Sequence, residues 1–435
     1  VDGRPLTALP PDAPAVTPAQ RRRLEARSAP VLTVDPSDVR EAPDLLLVDR
    51  IIGDARVVGL GESTHGTSEF FRTKHRLLRH LVERRGFTLF AIEANQLAVE
   101  RINAWVVGGP GSARDVIRTM FRVWNTEEML ALLEWLRSHN ETSRAPVRFV
   151  GYDMQDHILP RDSLVAFLRR AEPSLVADVE RLTSAYRAQA SFATPQVEEP
   201  VRVGWLRAAD SVQQLVAARR GAWLAAARTT ADTLSAEWAV QDARLFAQAA
   251  RLNASLNSPD RDSLMAANLD WALRTLYPRD RAVVWAHDVH VSRGGNKTRS
   301  FNGGAQMGAH LARSYGHDYR AFSFLTARGN FSGTRSLANH EIISARAFPA
   351  PAGSVESLLG SLRRPPAAVG LVVDLRTVDA RDAWLHVLRP LRHIGYASYD
   401  YGFDLEADMP LEFDGVVFIE STTASRMLPP RPRTP

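Results

Sequence analysis

Residues 55–66, Ala55-Arg56-Val57-Val58-Gly59-Leu60-Gly61-Glu62-Ser63-Thr64-His65-Gly66, decide how the fold is read. A short apolar run closes on a glycine and a polar loop follows. Runs of this length without polar alternation belong to strands covered on both faces, the habit of parallel sheets. Residues 68–85 then place Phe70, Phe71, Leu77, Leu78 and Leu81 on one helical face. The strand, loop and helix recur along the chain. Residues 88–92, 147–152, 282–286, 319–324, 369–375 and 415–419 read as strands, and 96–107, 112–121, 126–139 and 304–314 as helices. Strands alternating with helices predict an α/β fold, a mainly parallel sheet flanked by helices. Residues 156–278 break the pattern: they are rich in Ala, Leu, Arg and Glu with no strand-type run, which predicts a large helical insertion or subdomain. The organisation expected is an N-terminal extension (1–36), a first α/β part (37–155), the helical region (156–278), a second α/β part (279–427) and a flexible tail (428–435).

Composition narrows the function classes. The 435 residues are 45% hydrophobic and 24% charged, a globular balance that excludes a disordered or fibrous chain. No apolar run reaches the ~18–20 residues of a membrane span. Cysteine is absent, which removes disulfides, thiol nucleophiles and cysteine-bound metal together. The net charge is +5, and of 54 basic residues only Lys74 and Lys297 are lysine. Basic residues interleave with acids, so no nucleic-acid stripe is expected and the partner is a small-molecule substrate. The Pro-rich opening at residues 9–14 suits the tether behind a removed signal peptide, while the absence of cysteine fits both an exported and a cytoplasmic protein. Oligomeric state is not written in the sequence.

Four strands end in polar residues that packing does not require: Glu62 and His65, Glu93, Asp153, and His287 with His290. Ligands of open α/β sheets bind outside the carboxyl ends of the strands. If these strands are neighbours, acids and imidazoles meet there. Histidine titrates near neutrality and suits a general base, and a carboxylate beside it fixes its tautomer. His65 is the candidate base and Glu62 or Glu93 its orienting acid. His287, directly after its strand, is preferred to His290 as the group that stabilises an oxyanion or protonates a leaving group. The helix start near Thr67 offers further N–H groups. Each residue also has a structural reading: Glu62 as a cap, His65 as a helix-start residue, Glu93 as an arginine partner, Asp153 as a fold residue. Lys74 falls on the apolar stripe of its helix, so it pairs with a motif glutamate, touches substrate or reaches out to water.

Other chemistries fit less well. No G-x-S-x-G elbow, G-x-G-x-x-G fingerprint or P-loop is present. His65, His287, His290, Glu62 and Glu93 are of types that bind zinc, but the H-E-x-x-H arrangement is missing. No metal and no cofactor is assigned.

The ordered set of motifs resembles the erythromycin esterase family. It comprises Gly61–Gly66, Glu93, Trp124-Asn125-Thr126-Glu127-Glu128, Gly151-Tyr152-Asp153-Met154-Gln155, Trp285–Val291, Gly304-Ala305-Gln306-Met307-Gly308 and Phe413–Phe418. The likeness runs from about residue 40 to 425. It implies an α/β core with a helical part forming a cleft, and metal-independent hydrolysis of a macrolide lactone linked to antibiotic resistance. It implies His65 as base, with Glu62, Glu93 and His287 in the catalytic set. Lys74, His290, Asp153 and Trp124 are then the candidate substrate contacts. The expectation is an esterase or lactonase acting on a medium-to-large organic substrate. Two alternatives stay open: a non-hydrolytic acid/base enzyme of secondary metabolism running cyclisation, elimination or group transfer, and a binding protein for haem or another small ligand.

Overall fold

The four residues Val57–Leu60 are wholly buried, as a strand covered on both faces demands. They form β2 of the structure, a computed structural model. It describes residues 15–189, 197–254, 260–294, 305–336, 339–376, 380–397, 403 and 405–429. The Pro-rich opening at 9–14, Gly304 and tail residues 430–435 lie outside the described residues. The chain divides into two compact units. The first comprises 1–93, 102–149 and 280–435, and the second 94–101 and 150–279.

In chain order the strands are β1 (Ser28–Val31), β2 (Val57–Leu60), β3 (Leu89–Asn95), β4 (Arg148–Asp153), β5 (Ala282–Trp285), β6 (Tyr319–Thr334), β7 (Ile342–Ala347), β8 (Gly370–Asp374), β9 (Arg389–Leu391), β10 (Leu405–Ala407) and β11 (Gly415–Thr422). The main sheet runs β1-β8-β11-β6-β2-β5-β3-β4, with β7 also on β6, while β9 and β10 form a separate ribbon. β2 is parallel to β5 and β6, β5 to β3, and β6 to β11. β8 lies antiparallel to β1 and β11, and β7 antiparallel to β6. The sheet is therefore mixed but mostly parallel, and helices accompany it as the alternation required.

Helix Ser68–Arg85 follows β2 and buries Phe70, Phe71, Leu77, Leu78 and Leu81. Burial contributes about 1.5–3 kcal/mol for each such side chain. Gly86 ends the helix at φ 69°, a left-handed turn that costs glycine little. The sequence reading does not include β1, β7, β9, β10 or the second half of β6. β1 contains Pro30, which hides strand character yet is tolerated because β1 is the sheet edge. β6 continues to Thr334, and Arg328 and Asn330 in that second half are exposed, so the apolar run stops before the strand does.

The second unit is built on helices Ile158–Ala171, Val176–Arg187, Glu199–Ala226, Thr230–Ala254 and Arg261–Trp271. Leu164, Val165, Leu168, Val212, Val216 and Ala243 form one of its cores. A second core gathers Tyr186, Trp205 and Phe246. No described helix is long and apolar enough to cross a membrane.

Candidate functional site

Strand register sets the heights of the reactive residues. Leu60 pairs with Trp285, and Trp285 pairs with Ile92. One or two residues beyond that row stand Glu62, His287 and Glu93. The ladder continues past β2, with Gly61 N–H donating to the Phe322 carbonyl (2.7 Å) and Ser63 N–H to that of Phe324 (3.0 Å). Asp288 N–H donates to the Glu62 carbonyl at 2.9 Å. Two glycines of the loop are required by close approach. A Cβ on Gly61 would overlap the Asp288 carboxyl, and one on Gly66 would overlap the Ser332 backbone.

Glu62 is fully buried and uses both carboxylate oxygens. Oε1 meets His65 Nδ1 at 2.8 Å. Oε2 accepts from Lys74 Nζ at 2.8 Å and from Trp285 Nε1 at 2.9 Å. An ionised carboxylate only accepts, so His65 Nδ1 carries a proton and Nε2 is the acceptor nitrogen of the neutral ring. Nε2 has no hydrogen-bond partner among the described residues, and the side chain retains 11% exposure. The ring sits edge-on to Trp124 at 5.4 Å and to His287 at 5.1 Å.

Lys74 has no solvent exposure. Its ammonium lies 4.3 Å from the Trp285 ring centre and 5.3 Å from that of Phe324. Burial lowers its pKa to about 8, against the pull of Glu62. Asp288 is its counterpart: burial raises that carboxyl to about 8, although Ser323 Oγ donates to it at 2.7 Å and Phe324 N–H at 3.3 Å.

Glu93 accepts the His287 backbone N–H at 3.0 Å, and His290 Nε2 lies 3.4 Å from its other oxygen. His287 caps the short helix Asp288–Val291. Its Nδ1 accepts from Val289 N–H at 3.3 Å, and its Nε2 donates to the Ile394 carbonyl at 3.0 Å. Desolvation, reinforced by the neighbouring imidazoles His393, His65 and His290, holds its pKa well below the usual histidine range. The ring is neutral with both nitrogens committed to backbone, so the expected role as oxyanion donor or acid does not fit it. His290, with 13% side-chain exposure beside Glu93, is the more open of the two.

The first unit thus brings together Glu62, His65, Lys74, Glu93, Trp124, His287 and His290. Contact with substrate does not fit three of the residues expected to make it. Lys74 is wholly enclosed. Trp124 is 1% exposed and donates its Nε1–H to the Glu93 carbonyl at 2.9 Å. Asp153 belongs to the second unit, where it is fully buried and pairs with Arg261 at 2.6 Å. Sequence reasoning missed His393, whose ring centre is 4.4 Å from that of His287. It follows a three-residue strand, β9, with no helix after it, so no strand–loop–helix signal marked it. Among the described residues no group of three or more His, Asp or Glu is placed to hold a metal ion.

A carboxylate-held imidazole with one open nitrogen, at the carboxyl ends of parallel strands, has the geometry to take up and return a proton. The erythromycin esterase family model matches residues 82–422, and the chain belongs to that family. That membership supports a hydrolase. The match begins after the Glu62–His65 loop. An Escherichia coli erythromycin esterase type II is 24% identical over 312 residues, 65% of this chain and 71% of that protein. A Bacillus cereus protein of solved structure superposes with a TM-score of 0.81 at 23% identity, covering 96% of this chain and 100% of its own. A mutant of the erythromycin esterase EreC in its open conformation superposes with a TM-score of 0.70 at 18% identity, covering 93% and 99%. At these identities the two solved structures show the fold.

Proposed function

We propose that this chain hydrolyses an ester or lactone of a medium-to-large organic substrate, with water activated directly by His65. A macrolide lactone, the substrate that the names of its relatives indicate, is the first candidate. The observation that carries the reading is the single open valence of His65: Nδ1 is tied to Glu62, and Nε2 is left to face water.

In the forward step Nε2 takes a proton as water oxygen bonds to the carbonyl carbon. The tetrahedral intermediate then expels the alkoxide, the C–O bond breaks, and the imidazolium returns its proton to that alkoxide. Acid and alcohol leave, and the ring is neutral again. Glu62 stabilises the imidazolium and fixes the tautomer. Lys74 holds Glu62 from behind and does not reach substrate. Glu93 fixes the His287 backbone and faces His290. His287 itself is a positioning residue.

The test is product mass after incubation with erythromycin. The product gains one water. An isomer of unchanged mass, or a transferred group, contradicts hydrolysis.

A further inference from the structure

The loop that carries Glu62 and His65 is clamped at Ser63. On one side Ser63 N–H donates to the Phe324 carbonyl of β6 at 3.0 Å, and on the other the Ser63 carbonyl accepts the Ile394 N–H at 2.8 Å. The Ile394 carbonyl accepts the His287 Nε2–H at 3.0 Å, and the His287 ring stands edge-on to His65 at 5.1 Å. One apolar residue after β9 therefore holds both the base loop and the imidazole beside the base. Its side chain offers no hydrogen bond, so its neighbours must keep it in place. We propose that Glu356 and Arg392 are positioning residues of this site: together they fix segment 392–394, and through Ile394 they set where Ser63, and with it Glu62 and His65, can stand. The proposal rests on the hydrolase reading above.

Both residues are wholly enclosed, at 0% exposure. Arg392 donates its Nε–H to the Thr326 carbonyl at 3.2 Å. Its Nη2 donates to the carbonyls of Ala327 at 3.2 Å and Phe348 at 2.5 Å. Thr326 and Ala327 continue β6, the strand whose Phe324 takes the Ser63 N–H, so both jaws of the clamp are tied to one strand. The guanidinium also lies 4.6 Å from the Phe403 ring centre. Glu356 stands in the short helix Val355–Gly360, which Ser354 caps by accepting the Ser357 N–H at 3.1 Å. Its Oε1 accepts the Arg392 backbone N–H at 2.6 Å. Burying a carboxyl costs desolvation, and burial raises this one to about 7 against the pull of Arg392. Among the described residues Oε2 has no hydrogen-bond partner. The bond that links Glu356 to the site is the one to the Arg392 amide.

Position matters here because His65 must meet water and then the leaving alkoxide with one nitrogen. A misplacement of about 1 Å costs about 10²-fold in rate. Neither Glu356 nor Arg392 moves a proton in the reaction, and the proton balance stays with His65.

The experiment measures kcat and KM for erythromycin opening, thermal midpoints, and the His287 ring by NMR of nitrogen-labelled histidine, in four variants. Glu356→Leu removes the acceptor and is expected to lose about 10–10²-fold in kcat, with KM little changed. Glu356→Asp keeps the carboxyl but draws it back by one methylene, and should lose kcat in the same way. Glu356→Gln keeps both reach and acceptor oxygen, and should recover most of the rate. These last two read the hydrogen bond even if the leucine variant is unstable. Arg392→Lys keeps the charge but lacks the planar fork that spans three carbonyls, and should also lose kcat. The His287 Nε2–H should exchange faster with solvent in the Leu, Asp and Lys variants and stay protected in Glu356→Gln. A merely structural role would lower the thermal midpoints and leave kcat and the ring signal of the folded protein unchanged. Wild-type kcat in the Asp and Lys variants, or an unaltered His287 signal beside a lowered kcat, overturns the assignment, and the hydrolase reading stands if the wild-type product has gained water. A wild-type protein that adds no water to the lactone overturns both.

Discussion

The two units bury polar groups in opposite ways. In the helical unit one buried cluster is made of neutral amides that satisfy one another, apart from the Asp153–Arg261 pair. Gln241 Nε2 donates to Gln96 Oε1 at 2.8 Å and to Asn268 Oδ1 at 2.9 Å. Asn268 Nδ2 donates to Gln248 Oε1 at 2.9 Å and to the Tyr152 carbonyl at 3.1 Å. In the sheet unit the cluster around Glu62 is made of ions and imidazoles, and within it His65 Nε2 is left open. A closed amide network specifies a core. A buried ion pair costs desolvation, and replacing such a pair by apolar packing is often neutral or stabilising. The Glu62–Lys74 pair is better explained by what it does for His65 than by what it does for folding.

Breaking each network should show that difference. The largest effect is expected from Lys74→Met, which leaves the Glu62 carboxylate buried without its cation. Removing one partner of a buried pair costs about 3–5 kcal/mol, so the urea midpoint should fall sharply, and adding Glu62→Gln should recover much of the loss. A double variant no more stable than Lys74→Met would break the account of the pair. In the helical unit, Gln241→Leu removes the partners of Gln96 Oε1 and Arg244, while Asn268 Oδ1 keeps Gln248 Nε2 at 3.1 Å, and should cost about 1–3 kcal/mol. A cost above that of Lys74→Met would reverse the comparison.

The most gradual effect is one of pH, spread over several pH units. Burial raises the Asp288 carboxyl to about 8 in the folded chain, from the 3.8 usual for an aspartate. Between those values the folded chain holds a proton that the unfolded chain has released. The stability linked to that proton is complete below about pH 4 and is lost as pH rises towards 8. One proton changes stability by at most about 1.4 kcal/mol per pH unit. Lys74, lowered to about 8, acts with the opposite sign and only above that pH, where stability rises with pH. Asp288→Asn should therefore flatten the decline in urea midpoint between about pH 5 and pH 7.5. Parallel curves for the two proteins would remove the protonated Asp288 from the account.

Much of the fold was legible because parallel strands covered on both faces leave uninterrupted apolar runs. β2, β3 and β5 announced themselves in this way, and each supplies the site from its carboxyl end. Helix Ser68–Arg85 was legible down to its ends from its apolar stripe and Gly86. β1 was hidden by Pro30, and the second half of β6 by its exposed Arg328 and Asn330. The candidate site was legible as a set of residue types at strand ends. Its wiring was not, because the partners are remote in sequence: the carbonyl that takes the His287 Nε2–H belongs to Ile394, 107 residues away. For the same reason the sequence preferred His287 to His290 and passed over His393.

The central claim is that His65, held by Glu62, activates the water that cleaves the substrate. Its most direct test is the rate at which erythromycin gains one water with wild-type protein and with His65→Ala at matched urea midpoints. The account predicts a loss of about 10²–10⁴-fold in the variant. Equal rates in the two proteins would contradict it.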